Sequence, residues 1–239
     1  MNPDRARILL LSTSTIFGGE YLDYAEAEIR DFLGEAKRIL FVPFALHDHD
    51  AFAGRARKRF TQMGYTFESL HRASNMHDAI ENTDAVFIGG GNTFRLLTAL
   101  YDHDLLGKIR QRVKGGMLYM GSSAGSNVAG PTIKTTNDMP IVQPPSFDSL
   151  GLVPFQINPH YLDVDPTSKH MGETREERLL QFLEENDTPV IGLREGAMVR
   201  VENGSCELKG ATGGKIFRRK LPPLEVSAGS LDRFLSVRS

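Results

Sequence analysis

Tryptophan is absent from this chain of 239 residues, and cysteine occurs once, at Cys206. A single thiol cannot form an internal disulfide, so Cys206 reads as an ordinary packed or surface cysteine of a protein in the reducing cytoplasm. An excess of either charge is missing as well: 28 basic residues stand against 30 acidic ones, for a net charge of -2. That balance provides no field to recruit nucleic acid or an anionic membrane, and a small peptide or other small molecule is the expected partner. Long apolar runs are also lacking. The first, Ile8 to Leu11, is too short for a signal-peptide core or a membrane span. No repeat, low-complexity tract or linker divides the chain. One α/β domain over residues 1–239 is therefore expected, with 222–239 a weakly patterned tail that is partly mobile or used in self-association, as monomer or homodimer.

What the chain does contain is a regular alternation of apolar runs and amphipathic stretches. Strands are expected at Arg7 to Ser12, Arg38 to Pro43, Tyr65 to Leu70, Ala85 to Ile88 and Met117 to Met120. Between them, helices are expected at Glu20 to Leu33, Asp48 to Met63, Met76 to Asn82, and Thr93 to Val113 with a break near Asp102. The runs are continuously apolar rather than alternating, as in strands covered on both faces, so the fold class is a doubly wound, mostly parallel α/β sheet with helices on both faces. Pro131 to Pro145 reads as a long loop or hairpin crossing the active face. A last long helix, Glu173 to Glu184, turns Leu179, Leu180, Phe182 and Leu183 to one side, and the strand Val190 to Leu193 follows it. Short strands near 197–201, 206–208 and 215–218 then read as an antiparallel edge.

The segment Leu118-Tyr119-Met120-Gly121-Ser122-Ser123-Ala124-Gly125 delivers a strand into a Gly-x-Ser-x-Gly turn, the pattern of a nucleophile elbow. It lifts the Ser123 hydroxyl above the sheet edge and turns the Ala124 amide toward a developing oxyanion. A serine needs a general base, and Asn158-Pro159-His160 offers His160 at the end of a strand. The orienting acid has two candidates, Asp138 on the loop after the elbow and Glu195 directly after a core strand. Gly89-Gly90-Gly91-Asn92 also joins a strand to a helix, and Gly91 is the donor expected to complete an oxyanion hole. Its rival role is an anion cradle. His47 and His49 make only a weak metal pattern, and His71, His77, His103 and His170 read as surface residues. No metal and no cofactor are expected.

Taken with Thr135 to Pro140 and Gly172-Glu173-Thr174-Arg175, these motifs resemble the S51 family of serine peptidases, in the same order and over nearly the whole chain. The resemblance implies a fold like class I glutamine amidotransferase domains with serine in place of cysteine, and hydrolysis of dipeptides with an N-terminal aspartate. It also implies roles: Ser123 as nucleophile, His160 as base, Gly91 and Ala124 as oxyanion donors, Glu195 or Asp138 as orienting acid, and Arg175 and Asn92 in the substrate pocket. The family often carries a bulky aromatic before the nucleophile where this chain has Ser122, and its C-terminal ending is shorter. Two alternatives are a cyanophycinase-like or isoaspartyl peptidase of the same fold, and a non-catalytic domain that binds small anions.

Overall fold

The computed structural model describes residues 6–167, 169 and 171–235. The first half of the chain builds β1 (Ile8–Leu11), α1 (Glu26–Leu33), β2 (Arg38–Val42), α2 (His49–Gln62), β3 (Thr66–Ser69) and α3 (Met76–Glu81). It continues with β4 (Ala85–Ile88), α4 (Thr93–Asp102), α5 (Leu105–Lys114), β5 (Leu118–Ser122) and α6 (Ala124–Asn127). After a long loop come β6 (Gln156–Pro159), α7 (Arg175–Glu185), β7 (Val190–Leu193), β8 (Met198–Glu202), β9 (Ser205–Lys209), β10 (Gly214–Phe217), β11 (Leu224–Val226), β12 (Gly229–Ser230) and α8 (Asp232–Leu235).

The large sheet has eight strands in the order β12-β9-β8-β1-β5-β4-β2-β3. From β1 to β3 every pairing is parallel, and from β1 to β12 every pairing is antiparallel. Because side chains alternate along a strand, each apolar run feeds two cores. Leu9, Leu11, Phe41, Phe87 and Met120 pack with Ile29 and Phe32 of α1 and with Phe52, Ala56 and Phe60 of α2. On the opposite face, Ile8, Leu10, Leu40, Val86 and Tyr119 pack with α3, α4 and α5 through Ile80, Leu96, Leu100, Ile109 and Val113. Covering on both faces is what makes these strands apolar at every position.

The C-terminal strands depart from the expected single sheet with one antiparallel edge. β8 and β9 do form that edge, but β6, β7, β10 and β11 make a second sheet of four strands, ordered β11-β10-β7-β6. Ile157, Ile191 and Ile216 carry its inner face into the same core as Ile8 and Leu10. The expected loose tail also takes a different form: β11 pairs with β10, β12 pairs with β9, and Leu231 and Leu235 are buried. Residues 236–239 lie outside the described residues.

Other boundaries shift for local reasons. The helix expected from Glu20 begins only at Glu26, because Leu22 adopts a left-handed conformation (φ 60°) and one 3-10 turn intervenes. Asp48, Asn75 and Asn92 cap α2, α3 and α4 with their side chains, and Thr174 and Glu177 form a reciprocal capping box that starts α7 at Arg175. On α7, Leu179 and Leu183 are buried, whereas Leu180 is turned to solvent, against expectation. The long loop contains one isolated bridge, Thr132 to Asp148, rather than a hairpin.

Candidate active site

Parallel strands end together at their carboxyl edge, where loops from several strands can converge. β5 ends at Ser122, Ser123 is the N-cap residue that follows, and the elbow helix α6 is one turn long. Its four residues are nevertheless pinned from three sides. Ser126 Oγ donates to the carbonyls of Leu11 and Gly121, Asn127 Nδ2 donates to Ile157, and the buried Tyr119 hydroxyl donates to Gly125 at 2.6 Å. Burial also raises the Tyr119 pKa, so the phenol remains a donor. Gly125 has no alternative residue: a Cβ there would run into the carbonyl oxygen of Ile88.

Ser123 sits at φ 52° and ψ -110°, outside the regions a side chain ordinarily accepts. Its amide donates to the Leu11 carbonyl, so the strained apex is fixed to the end of β1. His160 follows β6 directly and also has φ 52°. Its amide donates to Ser12 Oγ at 2.9 Å, and Ser12 Oγ donates in turn to the Leu193 carbonyl at 2.7 Å. One buried hydroxyl thus joins the ends of β1, β6 and β7.

The imidazole of His160 bridges two side chains. Nε2 lies 2.9 Å from Ser123 Oγ, and Nδ1 lies 2.6 Å from Glu195 Oε1. Since a carboxylate only accepts, Nδ1 carries the hydrogen and Nε2 is left to accept from the serine. Glu195 enters two residues after β7, across the parallel β6–β7 pair. Asp138 is placed elsewhere. Its Oδ2 accepts from the Thr93 amide at 2.7 Å, from the Thr93 hydroxyl at 2.6 Å and from the Thr136 hydroxyl at 3.2 Å, which fixes it at the N-terminus of α4. Of the two acids left open by the sequence, it is Glu195 that contacts His160.

Gly91 has φ 135°, and a Cβ there would lie 2.6 Å from the Ala45 carbonyl oxygen. A glycine is therefore required where the loop passes the Ala45 carbonyl, and it is the preceding Gly90 whose Cβ would approach Ser123. Among the described residues, the amides of Gly91 and Ala124 have no hydrogen-bond acceptor, whereas the amide of Asn92 donates to Ala45. The side chain of Asn92 is committed to structure at both ends: Oδ1 accepts from the Arg95 amide and Nδ2 donates to the Met139 carbonyl. Arg175 is the first residue of α7 and is half-buried, with no hydrogen bond or ion pair among the described residues. Burial lowers its pKa below the ordinary guanidinium value, Arg178 adds to that, and the charge of Asp138 opposes both.

A cavity of about 220 Å³ opens beside Ser123 and His160, lined also by Gly90, Gly91, Tyr21 and Arg55. A larger cleft of about 420 Å³ lies between Phe94 and the 140–147 loop, but no titratable side chain lines it. Ser12 and Arg55 are the residues the sequence reading missed. For Ser12 a signal was present: it is the first polar residue after a fully apolar parallel strand, the same position that Gly89 holds after β4.

The remaining histidines are divided. His71 was expected at the surface but is hydrogen-bonded to Ser69 Oγ and Asp50, both at 2.8 Å, and its ring packs on His49. Burial lowers the pKa of His49. His170 lies outside the described residues. Among the described residues no group of three or more His, Cys, Asp or Glu side chains is arranged to hold a metal, and no helix is long and apolar enough to cross a membrane.

The family model of peptidase family S51 matches residues 8–209. The chain belongs to that family. It is 52% identical over 232 residues to peptidase E of Streptomyces coelicolor, covering 97% of this chain and 96% of that one. It is 47% identical over 214 residues to the protein named "Probable alpha-aspartyl dipeptidase" of Drosophila melanogaster, covering 88% and 89%. Among solved structures, a peptidase from an acI-B1 actinobacterium shares the fold with a TM-score of 0.71 at 18% identity, covering 95% of this chain and 96% of that one.

Proposed function

We propose that this chain is a cytoplasmic serine dipeptidase that hydrolyses Asp-X peptides through an acyl-enzyme on Ser123. The observation that carries the reading is the continuous relay from Glu195 through His160 to Ser123, at 2.6 and 2.9 Å. The names of the relatives supply the substrate class.

In the reaction, His160 Nε2 takes the Ser123 proton as the hydroxyl attacks the Asp-X carbonyl, and Glu195 holds the imidazolium that forms. The amides of Gly91 and Ala124 receive the oxyanion, each lowering the barrier by about 3 kcal/mol. Protonated His160 then delivers its proton to the leaving amine, and water resolves the ester by the reverse sequence. Arg175 takes the aspartate side chain in a bidentate fork; the helix it begins adds the positive end of its dipole, and no partner among the described residues engages its guanidinium. Asp138 organises the oxyanion loop from behind instead of orienting the histidine.

The same reading takes the chain as one α/β unit of the class I glutamine amidotransferase type, with serine where those domains carry cysteine. The core shared by both sheets supports this.

A panel of α-Asp-Leu, β-Asp-Leu, Glu-Leu and Ala-Leu with the wild type and Arg175→Ala tests the assignment. The wild type is expected to cleave α-Asp-Leu in strong preference to the others, and Arg175→Ala to lose that preference. Cleavage of β-Asp-Leu instead would move the chain to an isoaspartyl peptidase. An equal loss on Asp-Leu and Ala-Leu would refute the role of Arg175.

A further inference from the structure

An Asp-X dipeptide carries two carboxylates, one on the aspartate side chain and one at its C-terminus, and Arg175 accounts for only the first. The cavity beside Ser123 is lined by an arginine that the reaction described above does not use. Arg55 lies on α2 and lines the same cavity as Gly91, Ser123 and His160. Its neighbours on the helix are engaged elsewhere: Arg57 donates to the Phe67 carbonyl, and Arg59 pairs with Asp23 and Glu26. Arg55 has no hydrogen bond or ion pair among the described residues, and its guanidinium rests over the Phe52 ring, 5.5 Å from the centroid. That contact restricts the plane of the fork without using any of its five donors.

Tyr21 supplies a second observation in the same cavity. Its hydroxyl is buried and has no hydrogen-bond partner, a costly arrangement for a phenol unless a ligand completes it. The positive charge of Arg55 reaches this phenol. A cation and an unsatisfied donor side by side fit a carboxylate better than a neutral amide, which would leave the guanidinium uncompensated.

We propose that Arg55, with the Tyr21 hydroxyl, binds the free C-terminal carboxylate of the leaving residue and so restricts the enzyme to dipeptides. This rests on the peptidase reading above. A tripeptide would carry its carboxylate roughly 3.5 Å further along the chain, beyond a fork held on Phe52.

The test compares α-Asp-Leu with α-Asp-Leu-amide, which differs only in the terminal charge, on the wild type, Arg55→Ala and Arg55→Lys. The wild type is expected to favour the acid roughly 10–100-fold in kcat/KM, the range of a charge-assisted bidentate contact, mainly through KM. Arg55→Ala should lose that factor on the acid, leave the amide within about twofold, and show no discrimination; Arg55→Lys should retain part of it. Arg55 is exposed, so unchanged thermal melting of both variants is expected. Equal losses on acid and amide, or no loss on either, would overturn the proposal while the dipeptidase reading stands. Failure of the wild type to cleave either substrate would overturn that reading instead.

Discussion

His160 Nε2 lies 2.9 Å from Ser123 Oγ, and both residues of this pair hold a backbone φ of 52°. Such conformations cost about 1–3 kcal/mol each for residues with a Cβ, and the surrounding hydrogen bonds must compensate. Ser123 is held by the hydrogen bond its amide donates to the Leu11 carbonyl, and His160 by the one its amide donates to Ser12 Oγ. Replacing the nucleophile by glycine should relieve the strain that alanine retains. Ser123→Gly is expected to melt above Ser123→Ala by about 2–4 °C, the shift for roughly 1 kcal/mol in a chain of this size. Calorimetry of the two inactive proteins checks this, and equal melting temperatures would remove strain from the account of the elbow.

Glu195 and Asp138 should separate in the laboratory as they do in space. Glu195→Gln keeps the shape but cannot favour the imidazolium, and a fall in kcat of roughly 10²–10⁴ is expected with little change in melting temperature. Asp138→Asn removes the charge from the N-terminus of α4 and weakens three hydrogen bonds, so the main effect should be a loss of about 1–2 kcal/mol in stability, with a smaller change in turnover. Steady-state kinetics with denaturant unfolding of both variants decides this. The opposite ranking in kcat would assign the orienting role to Asp138.

Ser12 is the junction of three strand ends, and Ser12→Ala leaves the His160 amide without its acceptor and the Leu193 carbonyl with the Tyr161 amide as its remaining donor. We expect a stability loss of about 1–3 kcal/mol, together with a fall in kcat at nearly unchanged KM, because the imidazole loses its position and not its chemistry. A KM effect alone would contradict this.

Much of this arrangement was legible in the chain itself, and the exceptions have a common physical cause. The apolar runs at Ile8–Leu11, Arg38–Val42 and Ala85–Ile88 announced strands buried on both sides, because local composition reports burial directly. The glycines around Ser123 announced a bend that only glycine permits. The choice between Glu195 and Asp138 was not legible, since it depends on β7 lying beside β6, a pairing made by residues far apart in sequence. The same holds for the second sheet: a strand such as Gly214–Phe217 reads alike whichever neighbour it joins. Arg55 resembled the other cations of α2, and only the packing of that helix against the site distinguishes it.

Cys206 offers a check on the core independent of catalysis. Burial is the main cause that pushes its thiol pKa up to about 12, with Asp232 and Glu207 adding to the effect, so it stays protonated across the physiological range. A thiol reagent should leave the native protein unmodified for hours and label it stoichiometrically once unfolded. Rapid labelling of the native protein would mean that Leu231 and α8 do not cover it.

The most direct measurement is the hydrolysis rate of α-Asp-Leu by the wild type and by Ser123→Ala at equal concentration. If Ser123 is the nucleophile, the wild type turns the peptide over and the variant loses at least about 10⁴-fold in kcat, keeping only what the oxyanion site and binding provide. Turnover by Ser123→Ala within about tenfold of the wild type would contradict the account.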